Sequence, residues 1–391
     1  MVRNIIIIGG GFAGTQAATA LEKALSKAND KEHRIVLIEK NSHFVYCVAS
    51  PRAAVIEWED KILIPYTNLF QDKRHKTIKA KASGLYTNKI ILDQQVPEFG
   101  NEISYDYLII ATGTDYPAPF KSPHTDYQAI VDGFKSTQSE IKAAQSILIV
   151  GGGPVGIELA GEIREHYPEK RLVIVHSESN YLNDTIGVTP KMRSSMNKLL
   201  SENHVESIFN TKAVVEGLPG EPFYKPQDGI VNLTNGSIVE NIDLIFMAAG
   251  NRPGTSWLNH TEMGRRLIKR DGYIKVKSTL QVDDPIFPHV FTLGDVAGLK
   301  DPKMANIIRY QTAILVENLT LMALHNQQPS VVYNKHFDGI FVSFGSNKGS
   351  GYLTFFGGLH FGSWVVSTIK GKTLFVGKAW KGLNVELPTK R

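Results

Sequence analysis

One pattern occurs twice in this chain and sets what it can fold into. "NIIIIGGGFAG" and "SILIVGGGPVG" each run a β-branched strand into a glycine turn and on into a helix. A second apolar strand completes each unit, "HRIVLIEK" in the first and "RLVIVHS" in the second. Strand, glycine turn, helix and strand in this order make a βαβ unit. Gly9, Gly11 and Gly14 fit G-x-G-x-x-G, and so do Gly151, Gly153 and Gly156. The first glycine permits a tight turn, the second lets backbone approach a pyrophosphate, and the third lets helix pack on strand. The helix start then offers free N–H groups and a positive dipole to phosphate. One such match is weak evidence, but two in the same context point to two dinucleotide sites.

Two such sites in one chain suggest an electron relay from NADH or NADPH to FAD. Glu39 ends the second strand of the first unit, where a carboxylate can hold both ribose hydroxyls. In the second unit His176 and Ser177 stand where an acid would repel a 2′-phosphate, which leaves both nicotinamide nucleotides open. "YDYLIIATG" reads as another buried strand, and "IDLIFMAAGNRP" repeats its logic in the second unit. Asp295 in "FTLGDVA" follows a strand and a glycine, where it can bind the ribityl hydroxyls of FAD; its plainer reading is a turn aspartate. A helix is expected to begin near Lys303 and to aim its N-terminus at the flavin.

The predicted fold class is α/β, with two Rossmann-like dinucleotide-binding domains and a β-rich C-terminal domain. Residues 1–118 and 272–330 form the two parts of the FAD domain, 119–271 the NAD(P)H domain and 331–391 the β-rich domain. The first helix is expected over roughly 12–28, and short antiparallel strands over 77–95 with a turn near Asn88. A length of 391 residues agrees with more than one core. A net charge of +5 gives no sign of specific nucleic acid binding. No apolar run reaches the length of a membrane span, and Val2 stands where an N-myristoylation signal needs glycine.

The glycine motifs, with "AAGNRP" and "FTLGDVA", resemble the two-dinucleotide pyridine-nucleotide oxidoreductases. "SPRAAV", "HYPEKRLVIVHSE", "DPKMANIIRYQTAILVENL" and "LFVGKAWK" are similar to apoptosis-inducing factor homologues of the ferroptosis-suppressor type, relatives of type II NADH dehydrogenases. The resemblance implies NAD(P)H-dependent reduction of a lipophilic quinone. It implies FAD contacts from Arg52 and from backbone near Lys81, and a place for Glu158 beside the nicotinamide–flavin contact. It implies that Gln311 faces the acceptor and that Lys370 approaches the flavin from the C-terminal domain; an interface amide and a turn lysine are the plainer readings. Phe12, Ala13, Lys40, Thr112, Gly113, Met304 and Ala305 complete the expected flavin set, and Pro154, Val155, His176 and Gly250 the nucleotide set. Glu162, one turn after Glu158, reads as part of a solvated helix face.

"NSHFVYCVASPRAAV" holds Cys47, the chain's one cysteine. An internal redox disulfide is therefore excluded, and electrons must leave the flavin directly, for a small acceptor or a redox protein. Cys47 reads as a small apolar residue. Phe341, Phe344, Tyr352, Phe355 and Phe356 could line an acceptor pocket or fill a strand-domain core. The last 22 residues carry six basic residues and one acid, which fits a membrane-surface contact or a solvated tail. The expectation is a monomer or homodimer in the cytoplasm, or peripheral on a mitochondrial or lipid-droplet membrane. Two alternatives stay open: a reductase of a protein electron carrier, and a redox-gated interaction protein with little turnover.

Overall fold

The computed structural model describes residues 2–182, 187–215 and 220–388. A five-stranded parallel sheet carries the first unit, in the order Val290–Thr292, Tyr107–Ile110, Arg3–Ile8, His33–Glu39, Lys76–Lys79. Its centre is the run Ile5–Ile7, wholly buried, as a parallel strand covered on both faces must be. The helix Phe12–Lys27 packs on one face, with Ala17, Ala18, Leu21 and Leu25 inward at helical spacing, and the helix Ile308–His325 lies against it.

The chain leaves this unit at Thr114–Asp115 and returns at Arg252–Pro253, and these two segments pair antiparallel. Between them lies a four-stranded parallel sheet, in the order Val205–Ile208, Arg171–Val175, Ser146–Val150, Leu244–Met247. Both glycine loops thus leave strands at the inside of a parallel sheet, where helix dipoles and strand ends converge. Of the short strands expected over 77–95, Ala82–Leu85 and Lys89–Val96 form the antiparallel pair, whereas Lys76–Lys79 joins the first sheet in parallel.

Two expectations about elements are corrected. The helix near Lys303 begins at Ile308 instead. The stretch before it is pinned: the Lys303 amine donates to the Ala297 carbonyl at 2.7 Å, and a turn brings Ile307 N–H to the Met304 carbonyl at 3.2 Å. The last 60 residues are strand only in their first half, with Gly339–Phe344, Lys348–Leu353 and Leu359–Phe361 as an antiparallel sheet. Helical turns follow, among them Val376–Gly382. Val376, Trp380 and Leu383 are buried there at helical spacing, a period that glycine and aromatic richness obscured.

Candidate functional site

The two glycine loops share one geometry. Gly9 and Gly151 have φ of +101° and +122°, and a Cβ at either would meet the carbonyl oxygen of Ala111 at 2.5 Å or Ala248 at 2.6 Å. A Cβ at Gly14 or Gly156 would lie 1.7 or 2.0 Å from the carbonyl oxygen of Gly9 or Gly151. The middle glycines differ: a Cβ at Gly11 or Gly153 would meet nothing within 4 Å. The outer glycines are demanded by the protein's own packing, whereas the middle ones keep space open. Gly11 and Gly153 are also the N-caps of the two helices, without a capping side chain and without an acid in the first turn. Those helix starts leave N–H groups free for an anion. Pro154 and Val155 occupy the first positions of the second helix, and Ala13 is buried in the first. Phe12 meets Phe44 edge-on at 5.3 Å.

Glu39 is buried at the foot of the first loop. Its carboxylate accepts the Gly10 N–H and, at 2.9 Å, the Asn41 N–H. Burial pushes its pKa up against the pull of these bonds. Lys40 is exposed beside it. Tyr66 donates to the Gly10 carbonyl at 2.8 Å, a support that no sequence motif marks. In the second unit the His176 ring lies where a Cβ on Gly152 would touch it at 2.9 Å, and its Nε2 is buried with no partner among the described residues. Burial also lowers its pKa, so the imidazole is neutral near pH 7. Open cradles, uncapped helix starts and an unpartnered ring nitrogen all suit bound dinucleotides. Gly113 and Gly250 have φ of +64° and +94° with open space beside each, and the Thr112 hydroxyl donates to the Gly254 carbonyl at 2.7 Å.

Asp295 sits in the turn Gly294–Val296 and has no side-chain hydrogen bond or ion pair among the described residues. Gly294 has φ of +77°, and a Cβ on it would lie 2.7 Å from that of Ala13. This contact puts the aspartate turn against the start of the first glycine helix. Gln311 holds the same turn, its Oε1 accepting the Gly294 N–H at 2.7 Å and its Nε2 donating to Asp301 at 3.3 Å. At 4% exposure it is an interface amide, and its side chain also hydrogen-bonds Tyr333. Met304 and Ala305 are half-buried just before the same helix.

Glu158 and Lys370, far apart in sequence, form a buried ion pair. The Lys370 amine also donates to the Phe341 carbonyl at 2.9 Å, and Ser343 donates to Glu158 at 3.3 Å. One turn along the same helix, Glu162 is buried at 2% exposure and not solvated. Arg52 forks onto it at 2.8 and 2.9 Å, donates to the Gly371 and Lys372 carbonyls, and lies 4.7 Å from the Trp58 ring. The whole guanidinium is thus engaged by the protein. Burial raises the Glu162 pKa even against this partner. Gly161 lies between the two glutamates, and a Cβ there would meet Gly345 N at 2.3 Å. The second nucleotide helix therefore presses directly on the C-terminal sheet, and Arg52 fastens the first unit to both.

Elsewhere the expected residues do not converge. Lys81 is exposed, and its backbone N–H and carbonyl both pair with Asp93 at 2.9 Å. Phe344 is core, Phe341 meets Phe361 at 5.7 Å, Tyr352 meets His360, and Phe355 is exposed; the side chain of Phe356 lies outside the described residues. Cys47 is half-buried with its thiol pKa pushed up by burial.

The pattern of one family, described as pyridine nucleotide-disulphide oxidoreductase, matches residues 3–315. Ferroptosis suppressor protein 1 of Taeniopygia guttata is 29% identical, covering 99% of this chain and 97% of its own. Apoptosis-inducing factor homolog B of Dictyostelium discoideum is 29% identical, covering 99% of this chain and 98% of its own. Among solved structures, the sulfide:quinone oxidoreductase of Aquifex aeolicus superposes with a TM-score of 0.75 at 16% identity, over 99% of this chain and 93% of that one. NDH2 of Plasmodium falciparum, solved with NADH, gives 0.68 at 12% identity, over 94% and 93%. With two dinucleotide cradles in place and the family pattern spanning most of its length, the chain belongs to the pyridine nucleotide-disulphide oxidoreductases and is a flavin-dependent oxidoreductase using NAD(P)H.

Proposed function

We propose that this protein transfers electrons from NADH or NADPH through FAD to a lipophilic quinone, with no redox disulfide. The observation that carries the reading is the pairing of two open phosphate cradles with a single cysteine whose thiol is held protonated. Bound FAD supplies hydride acceptance from nicotinamide and release of electrons to an acceptor. The chain's own part is to bind, orient and exclude water. The Gly11 and Gly153 helix starts hold the two pyrophosphates, Glu39 the adenosine ribose of FAD and Asp295 its ribityl chain. Lys370, anchored by Glu158 and the Phe341 carbonyl, keeps one N–H free to stabilise negative charge at the acceptor. A neutral His176 neither repels nor binds a 2′-phosphate strongly, so both nucleotides serve.

A quinone acceptor is in keeping with the Aquifex aeolicus relative, which is a sulfide:quinone oxidoreductase. Trp364, 81% exposed in the C-terminal segment, and exposed Lys372, Lys378 and Lys381 suit a peripheral contact with an anionic membrane where such a quinone resides. No helix among the described residues is long and apolar enough to cross a membrane. The test is NAD(P)H oxidation by the purified yellow protein with and without a soluble quinone. A rate that quinone raises supports the proposal, and a rate indifferent to every quinone rejects it.

A further inference from the structure

We propose that Asp301 is a positioning residue of the flavin site, acting through Gln311 to fix the turn that presents Asp295. The inference rests on the flavin reading above. Asp301, Gln311 and Tyr333 are each at least nine-tenths buried and form one hydrogen-bonded cluster. The Asp301 Oδ2 accepts the Tyr333 hydroxyl at 2.7 Å and the Gln311 Nε2 at 3.3 Å. The other end of the same amide, Oε1, accepts the Gly294 N–H at 2.7 Å.

The direction of this chain of bonds is forced by chemistry. A carboxylate only accepts and a backbone N–H only donates, so Gln311 has one satisfactory orientation: nitrogen to Asp301, oxygen to Gly294. Without the carboxylate the amide could turn over, setting N–H against N–H. Gly294 would then lose its partner inside the protein, where an unmet donor is costly. Gly294 also has φ of +77°, and a Cβ on it would lie 2.7 Å from that of Ala13 in the first glycine helix, so the turn has no room for a side chain there. Asp295 is the next residue, and no other hydrogen bond holds its side chain among the described residues. Its placement depends on the turn, and besides backbone bonds Gln311 supplies the one side-chain hydrogen bond to Gly294–Val296 among the described residues. The cluster also joins three distant segments: the loop at 301, the long helix at 311 and the connection at 333.

A double-mutant cycle on the holoenzyme tests this, with FAD dissociation followed by the fluorescence of released flavin. Asp301→Leu and Gln311→Leu should each weaken FAD retention by about ten-fold, the size of a lost buried hydrogen bond to a charged partner. The double variant should be no weaker than either alone, because both act on one contact. Asp301→Asn should retain FAD nearly as the wild type does, since its carbonyl oxygen can accept both bonds. Residues in contact couple whatever their role, so the melting temperature of the FAD-free variants separates the two: a merely structural role lowers it in proportion to the loss of FAD, whereas a positioning role weakens FAD retention beyond it. If Asp301→Leu does not fold, Gln311→Glu serves: it sets two carboxylates face to face and should lose FAD, and adding Asp301→Asn should restore it. Additive losses, full retention in Asp301→Leu, or failure of that restoration would each overturn the inference. Asp295→Ala is the control for the underlying reading. If it keeps FAD as well as the wild type, the flavin assignment fails; if it loses FAD while Asp301→Leu does not, only the role of Asp301 fails.

Discussion

His75 shows how one buried side chain links pH to stability. Its Nδ1 accepts the Ile35 backbone N–H at 3.1 Å, so that nitrogen cannot carry a proton while the bond exists. Burial holds its pKa below the ordinary imidazole value. The folded-state pKa is depressed, so the unfolded chain takes up the proton first as pH falls. Stability is complete above about pH 6.5 and declines below it, by at most about 1.4 kcal/mol per pH unit. Urea midpoints at pH 7.5 and 5.5 should differ more for the wild type than for His75→Gln; equal differences would contradict this reading. At Cys47 the prediction concerns chemistry. Cys47→Ser should reoxidise per bound flavin at the wild-type rate, because a thiol whose pKa burial raises is a poor nucleophile. A hundred-fold fall with flavin content unchanged would place the thiol in the reaction.

The glycine loops make a prediction that separates fold from function within one element. Gly153→Val places its Cβ where no protein atom lies within 4 Å, at φ −79°, which valine adopts freely. This variant should keep its melting temperature and its FAD, yet lose flavin reduction by NAD(P)H. Gly156→Ala drives a Cβ to 2.0 Å from the Gly151 carbonyl oxygen and should cost stability instead. Calorimetry and flavin bleaching together check the pair. The strands, both loops and the first helix could be read from the sequence because each follows from local period and glycine spacing. The start at Ile308 could not, because side-chain contacts hold the stretch before it, Lys303 on the Ala297 carbonyl and Asp301 on the distant Tyr333. The burial of Glu162 is hidden from the sequence for a related reason. Its four-residue spacing from Glu158 sets a shared face, but only the tertiary fold says that Arg52 and the C-terminal sheet cover that face.

At the scale of the whole molecule, Arg52 and Glu162 bind three parts of the chain together. Glu162→Ala leaves Arg52 buried without its carboxylate and should cost about 3 kcal/mol, measured by denaturant unfolding. An isosteric apolar replacement of both partners should cost much less, since the ion pair itself gains little over its desolvation. The same docking brings Lys370 to Glu158, and the proposed acceptor site lies at this pair. The most direct test is stopped-flow absorbance of the flavin. The oxidised protein is mixed with NADH or NADPH under anaerobic conditions, and the reduced protein is then mixed with a soluble quinone or with oxygenated buffer. Both nucleotides should bleach the flavin and colour should return faster with quinone than with oxygen, with Lys370→Met slowing the second phase and not the first. Flavin that neither nucleotide bleaches, or colour that returns no faster with quinone, would contradict it.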